Sequence, residues 1–227
     1  MVTDATQAQQ EAVGANYDAA MLMQVRERTW RVIHDIAAQV RPGMTEARGV
    51  ELARGLLAEA GMQQGWHRVY VRFGANTLAN YGQPSDPDLV LGENDIFFID
   101  IGPVWEKWEG DGGDTFVFGD DPVMHAIKRD VRRLFDRVHD RWRAERLTGA
   151  ALYAYAAAEA KAMGWVLNLD MPGHRLSDFP HSAIHKGPLS AAPYSPSSGL
   201  WVLEIQVRHP TLPISAFYED LMLDKQA

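Results

Sequence analysis

The sequence Ile-Phe-Phe-Ile-Asp-Ile, residues 96–101, places one carboxylate inside a run of large apolar side chains. Side chains two apart in a strand lie on the same face, so Asp100 shares its face with Phe98. Ionised carboxylates are almost never fully buried unless they are paired or bound to a cation. The stretch therefore predicts a buried strand whose acidic end requires a partner.

Two further carboxylates lie in similar surroundings. Glu204 stands in Trp-Val-Leu-Glu-Ile, and Glu219 stands in Ala-Phe-Tyr-Glu-Asp-Leu-Met-Leu. Asp111 in a glycine-rich stretch and His174 in Pro-Gly-His-Arg complete a set of four carboxylates and one imidazole, the ligand mix of a divalent metal pair. Taken singly, Asp100 would also fit a strand end that caps a turn. Glu204 and Glu219 would each also fit the exposed face of a strand. The combination favours a metalloenzyme.

Composition supports a compact enzyme. The 227 residues are 46% hydrophobic, which is enough for a sizeable core, and the net charge of -8 argues against general nucleic-acid binding. The arginine-rich residues 128–146 alternate with acidic ones, as on a solvated amphipathic helix. The chain has no cysteine, no apolar signal region and no membrane-length apolar run, so we expect a cytoplasmic location without membrane association.

The order of predicted elements is similar in the two halves of the chain. In each half, two helices precede strands, and no low-complexity linker separates the halves. This order predicts one α+β domain with pseudo-symmetric halves. Helices are predicted to begin after the capping residues Thr45, Asp121 and Thr148 and to end at residues 41–43, 61 and 164. The predicted strands are 69–73, 96–101, one near 166, 201–207 and 216–223, and a hairpin is predicted over 104–118.

Several motifs resemble the pita-bread metallohydrolases, which include methionine aminopeptidase, proline dipeptidase, aminopeptidase P and creatinase. The similarity runs from about Arg26 to Leu223 and includes the segments 40–46 and 72–77. Asp100 and Asp111 have that family's eleven-residue spacing, and His174 precedes His181 by seven positions. The resemblance implies a pita-bread fold, with a curved, mostly antiparallel sheet flanked by helices over residues 21–227. Residues 1–20 are expected to form an N-terminal extension, whose flexibility is left open.

The resemblance also implies a chemistry. Asp111 and Glu219 would bridge two divalent metal ions, Asp100 would chelate one of them, and His174 and Glu204 would complete the other. Mn, Co or Fe suits such oxygen-rich ligands, and Zn is compatible with them. A metal-bridging hydroxide would then hydrolyse an amide or another C–N bond. Glu204 would also move protons, and His181 would be the second catalytic residue, a hydrogen-bond donor to substrate or intermediate.

Departures from the family pattern leave the substrate open. Tyr81 stands where the family has an active-site histidine, and Arg175 replaces a small residue, so both are candidate substrate-binding residues, with Arg175 expected to bind a carboxylate. An aminopeptidase or Xaa-Pro dipeptidase is the first hypothesis. A creatinase-like C–N hydrolase or a lyase acting on a small carboxylated metabolite is the second, and a non-catalytic binding module is the third. The expected partner is a small molecule or short peptide, and a homodimer is left open.

Overall fold

The protein contains five α-helices among the residues that the computed structural model describes, which are 4–183 and 185–224. The helices after Thr45, Asp121 and Thr148 begin at the predicted capping residues, and the helix after Asp18 has a cap that was not predicted. Asp18, Thr45, Asp121 and Thr148 each accept hydrogen bonds from backbone N–H groups in the first turn of a helix, which satisfies otherwise unpaired donors. The helices are α1 (Asp4–Gln10), α2 (Ala19–Ala37), α3 (Glu46–Glu59), α4 (Pro122–Glu145) and α5 (Gly149–Ala162).

Within residues 4–183 and 185–224, ten strands form one large and one small sheet, and every pairing between them is antiparallel. The large sheet has the order β2-β3-β6-β10-β9-β7, with β8 also paired to β9, and the small sheet has the order β1-β4-β5. The strands are β1 (Gln64–Gly65), β2 (Tyr70–Phe73), β3 (Asp95–Ile101), β4 (Pro103–Trp105), β5 (Trp108–Glu109), β6 (Gly112–Phe118), β7 (Val166–Leu167), β8 (His174–Arg175), β9 (Trp201–Arg208) and β10 (Ser215–Leu221).

The helices pack against the large sheet in two pairs. Helices α2 and α3 lie against β2, β3 and β6, where Ile33 and Ile36 meet Phe97 and Ile99 in one core cluster. Helices α4 and α5 pack against the other end of the sheet, at β7, β9 and β10, where they form a second cluster. This arrangement of two helix pairs on one sheet agrees with the predicted α+β architecture of pseudo-symmetric halves.

The long helix α4 has the expected amphipathic pattern. Val131, Leu134 and Val138 are fully buried, while arginine and aspartate or glutamate side chains on the opposite face form ion pairs four residues apart. The arginine-rich segment is therefore the solvated side of a packed helix. Among the described residues, no helix is long and apolar enough to cross a membrane.

The segment before α2 contacts the rest of the protein. The Glu11 carboxylate accepts hydrogen bonds from the Ser197 backbone N–H and from the Trp201 indole, each at 2.8 Å. Gly14 N–H donates to Asp178. The predicted extension over residues 1–20 therefore contacts the domain through Glu11 and Gly14. Residues 1–3 lie outside the described residues.

His139 on α4 makes the folded state sensitive to acid. Burial and the nearby Arg143 lower the pKa of His139 to about 4, although the charge of Asp220 opposes the shift. His139 Nε2 accepts a hydrogen bond from Leu223 N–H at 3.0 Å. The folded pKa is lower than the unfolded value, so the unfolded chain takes up a proton first as the pH falls. The free energy of unfolding should therefore drop by about 2–3 kcal/mol between about pH 6.5 and pH 4.

This acid sensitivity can be measured by urea unfolding in chelator at about pH 7 and about pH 4.5, which bracket most of that window. The His139→Gln variant should lose the His139 contribution to the pH dependence. An identical pH dependence in wild type and variant would contradict the assignment.

Candidate metal centre

Strand register brings three of the predicted ligands together on the sheet face opposite the helices. Glu204 on β9 pairs directly with Glu219 on β10, and Glu219 and Asp100 flank Gly113 of β6 on either side. A Cβ atom at Gly113 would overlap the Phe217 ring and the Ile99 carbonyl, so glycine is needed where these strands pack. Four adjacent strands thus align three carboxylates in one row.

The row of carboxylates forms the floor of a cavity of about 310 Å³. All five predicted metal ligands line this cavity, together with Tyr81 and His181, so the structure brings seven of the eight candidate residues to one place. The lining residues are Trp66, His67, Tyr81, Asp100, Asp111, Asp170, Met171, Pro172, Gly173, His174, His181, Lys186, Gly187, Pro188, Glu204 and Glu219.

The ligand atoms are close together, and some lack hydrogen-bond partners. His174 Nε2 lies 2.9 Å from Asp111 Oδ2 and 3.3 Å from Glu204 Oε1. Within the described part of the chain, the buried Glu219 Oε1 has no hydrogen-bond partner, and Asp111 Oδ2 has none apart from the His174 nitrogen. Buried carboxylate oxygens without donors are costly, and a divalent cation satisfies them. The residues therefore fit a metal centre.

The acidity of these groups reflects the same crowding. Burial raises the pKa of Asp100 to about 6 and that of Glu204 to about 7, although nearby imidazoles oppose the shift. Burial and the neighbouring carboxylates also raise the pKa of Glu219. Asp111 is the exception, because His174 and His67 outweigh its burial and lower its pKa. Metal ions and protons would therefore compete for this acidic cluster.

His181 is held at the cavity by a buried carboxylate. Glu109 accepts a hydrogen bond from His181 Nδ1 at 2.7 Å and another from the His181 backbone N–H at 2.9 Å. Because a carboxylate oxygen accepts, Nδ1 carries the proton and Nε2 is left available to a substrate. Sequence reasoning missed Glu109, whose position depends on the pairing of residue 109 with Ser177 across the fold.

The two predicted substrate-binding residues lie in different environments. The Tyr81 side chain is 57% exposed at the edge of the cavity, packed edge-on against Tyr70. Arg175 does not reach the cavity: it is 1% exposed, and its guanidinium donates to the carbonyl oxygens of Leu200 and Ala12. Adjacent residues in a strand point to opposite faces, so His174 faces the cavity and Arg175 faces away. The expectation that Arg175 binds a substrate carboxylate is therefore wrong.

His67 is a cavity residue that sequence reasoning missed. Its side chain is 3% exposed, and Nε2 lies 3.3 Å from Asp111 Oδ1 and 3.4 Å from Asp100 Oδ1. Burial alone would lower its pKa, but the carboxylates of Asp100 and Asp111 raise it to about 9. Its position follows from the pairing of Tyr70 with Asp100, a long-range contact that residue spacing does not reveal.

Comparison with known families agrees with this geometry. The sequence profile of metallopeptidase family M24 matches residues 20–197, which is most of the chain. The chain belongs to metallopeptidase family M24. The resemblance drawn from the motifs of this M24 protein is therefore confirmed for the family, which is described as metallopeptidases. Sequence comparison with curated proteins gives no match.

Solved structures show the fold of this M24 protein. Prolidase from Pyrococcus horikoshii OT3 superposes with a TM-score of 0.75 at 14% identity, over all of this chain and 64% of the prolidase. X-Pro aminopeptidase from Thermotoga maritima MSB8 gives 0.73 at 18% identity, over 98% of this chain and 63% of that one. Methionine aminopeptidase from Thermotoga maritima gives 0.71 at 12% identity, over 95% and 96%. The predicted pita-bread fold is confirmed, and the chain spans about two thirds of the prolidase.

Proposed function

We propose that this M24 protein is a dinuclear metal-dependent peptidase that hydrolyses short peptides. The observation that carries the proposal is the convergence of Asp100, Asp111, His174, Glu204 and Glu219 on one cavity, where Glu219 Oε1 has no hydrogen-bond donor among the described residues. A binding module without catalysis would not need such a costly cluster. Asp111 and Glu219 would contact both ions, Asp100 one of them, and His174 with Glu204 the other.

The bound ions would supply Lewis-acid polarisation of the substrate carbonyl and an activated water molecule. Mn, Co or Fe fits the ligand set, and Zn is compatible with it. The side chains supply the remaining steps. Glu204, which lines the cavity beside His174, is suited to accept a proton from the attacking water and deliver it to the leaving amine. His181 is placed to donate from Nε2, when protonated, to the developing oxyanion.

The size and charge of the cavity favour a small substrate. A volume of about 310 Å³ lies at the lower end of the usual range for ligand sites. Of the described residues that line it, Lys186 is the one lysine or arginine, and it is exposed at the cavity mouth. An ammonium group there is suited to the terminal carboxylate of a dipeptide. Because the similar structures are named prolidase and X-Pro aminopeptidase, we propose peptides with proline after the first residue as the first substrates to test for this protein.

A second candidate is a non-peptide C–N hydrolase or lyase that acts on a small carboxylated metabolite. Tyr81 favours it, because a tyrosine at the position of the family histidine can donate a hydrogen bond but does not become a cation near neutral pH. The metal chemistry is common to both candidates, which differ in the substrate that the mouth of the cavity accepts.

A substrate panel tests the proposal. The protein would be reconstituted with Mn or Co and assayed with dipeptides, Xaa-Pro peptides, peptide amides, and N-acyl and amidino acids. We expect turnover of dipeptides with a free carboxylate. Turnover of the N-acyl or amidino acids alone would select the second candidate, and no turnover of any substrate by protein carrying two ions would contradict both.

Lys186→Met provides a sharper test of the substrate end. Loss of a charge-assisted hydrogen bond should raise KM about 10-fold for a dipeptide and leave KM for its amide unchanged. Lys128→Met on α4 serves as the matched control, since Lys128 lies outside the cavity lining. Equal KM changes for dipeptide and amide would contradict the role of Lys186.

A further inference from the structure

We propose that His67 is a sixth protein ligand of the metal centre, bound through Nε2 to the ion held by Asp100 and Asp111. The inference rests on the proposed metal centre and gives each of its two ions one imidazole, His67 on one side and His174 on the other. The sequence pattern contains no ligand at this position, and the assignment comes from the geometry of the folded chain.

The three donor atoms form a compact triangle. His67 Nε2 lies 3.4 Å from Asp100 Oδ1 and 3.3 Å from Asp111 Oδ1, and one ligand atom from each residue lies within 4.8 Å of the others. Nitrogen and oxygen ligands at about 2.0–2.1 Å from a tetrahedral ion stand about 3.3–3.4 Å apart. The two distances from His67 Nε2 to the carboxylate oxygens therefore match those between ligands of one cation.

The hydrogen bond made by His67 Nδ1 directs Nε2 toward the carboxylates. His67 Nδ1 lies 2.6 Å from the carbonyl oxygen of Arg68, the next residue, and His174 Nδ1 lies 2.7 Å from that of Arg175. Because a carbonyl only accepts, Nδ1 of each ring donates its proton there, and Nε2 is the nitrogen that faces the carboxylates and would exchange its proton for a metal ion. The predicted ligand His174 and the unpredicted His67 are thus held by the same kind of contact.

The neighbouring residues are arranged to hold the His67 ring in place. Trp66 donates from its indole to the Gly110 carbonyl at 2.9 Å and from its backbone to the Gly102 carbonyl at 2.9 Å, and its ring packs edge-on against His67. A Cβ atom at Gly102 would overlap the His67 ring. Glycine at position 102 is therefore required for the observed position of the His67 imidazole, because a side chain at residue 102 would displace the ring.

The sixth ligand has a consequence for metal preference. Without His67, Asp100, Asp111 and Glu219 would offer only oxygen atoms to one ion, which suits hard cations such as Mn. An imidazole raises the relative affinity of that ion site for Co, Fe or Zn. Loss of His67 should therefore weaken binding of Co more than binding of Mn.

Calorimetric titration of metal-free protein with Co and with Mn tests the inference, with the visible absorption of bound Co as a second readout. In His67→Ala, one of the two Co affinities should fall about 100-fold or more, the other should change little, and the Mn affinities should fall less. Gly102→Ala, which keeps the imidazole but displaces it, should weaken the same Co site. His125→Ala, an exposed histidine on α4, is the matched control.

The outcomes separate this inference from the proposed function. Wild-type protein that binds no metal would overturn both the metal centre and the sixth ligand. Wild-type and His67→Ala proteins that bind two Co ions with equal affinities and equal spectra would overturn the sixth ligand alone. Unchanged metal binding with reduced turnover in His67→Ala would also overturn it, because the imidazole would then act on substrate rather than on metal.

Discussion

Glu219→Ala is expected to lose most of the bound metal and to reduce turnover by at least about 10³-fold. Glu219 is 2% exposed on β10, its Oε1 has no hydrogen-bond partner among the described residues, and the carboxylate faces both Asp111 and Glu204. Removing a ligand shared by two ions weakens both, and metal polarisation of a carbonyl contributes several kcal/mol, equivalent to about 10³ in rate.

The measurement for Glu219→Ala combines elemental analysis with kinetics at saturating substrate. Asp111→Asn, which keeps the shape of a second shared ligand, should show the same loss. Glu93→Ala removes an exposed carboxylate in the loop before β3 and should leave metal content and turnover unchanged. A Glu219→Ala protein that keeps two ions and wild-type turnover would show that Glu219 is not a shared ligand.

His181→Ala should keep both metal ions and lose about 10²-fold or more in kcat, the usual scale for a positioned acid–base or oxyanion group. His181 lines the cavity beside His174, with ring centroids 5.7 Å apart, and its Nδ1 is engaged by Glu109. Its loss removes a donor to the substrate while leaving the five predicted metal ligands in place.

Glu109→Gln tests how His181 is positioned. The amide keeps one oxygen acceptor but cannot stabilise an imidazolium as a carboxylate does, so kcat should fall about 10-fold and its pH profile should move, with KM and metal content unchanged. Loss of metal from His181→Ala would contradict the assignment, because it would make His181 a ligand or a structural residue.

Local pattern was sufficient to predict helices α2 to α5, the longer strands and the face of the sheet that carries the ligands. Asp100 was predicted to share a face with Phe98, and in the structure both lie on the side of the sheet opposite the helices. The caps Thr45 and Thr148 begin helices as predicted. These predictions hold because alternation and capping depend on residues within a few positions of one another.

Residues that depend on long-range pairing could not be predicted in this way. His67 reaches the cluster because Tyr70 pairs with Asp100, and Glu109 reaches His181 because β5 lies beside Ser177. Arg175 is different, because the short strand β8 was not predicted. The alternation along β8 places His174 in the cavity and turns Arg175 away from it.

The most direct test of the metal centre is anomalous diffraction at the metal absorption edge, from crystals grown with Mn or Co. We expect two peaks in the cavity about 3.5–4 Å apart, both beside Asp111 and Glu219, one beside Asp100 and the other beside His174 and Glu204. No peak at these carboxylates, at metal concentrations well above those needed for binding, would contradict the metal centre.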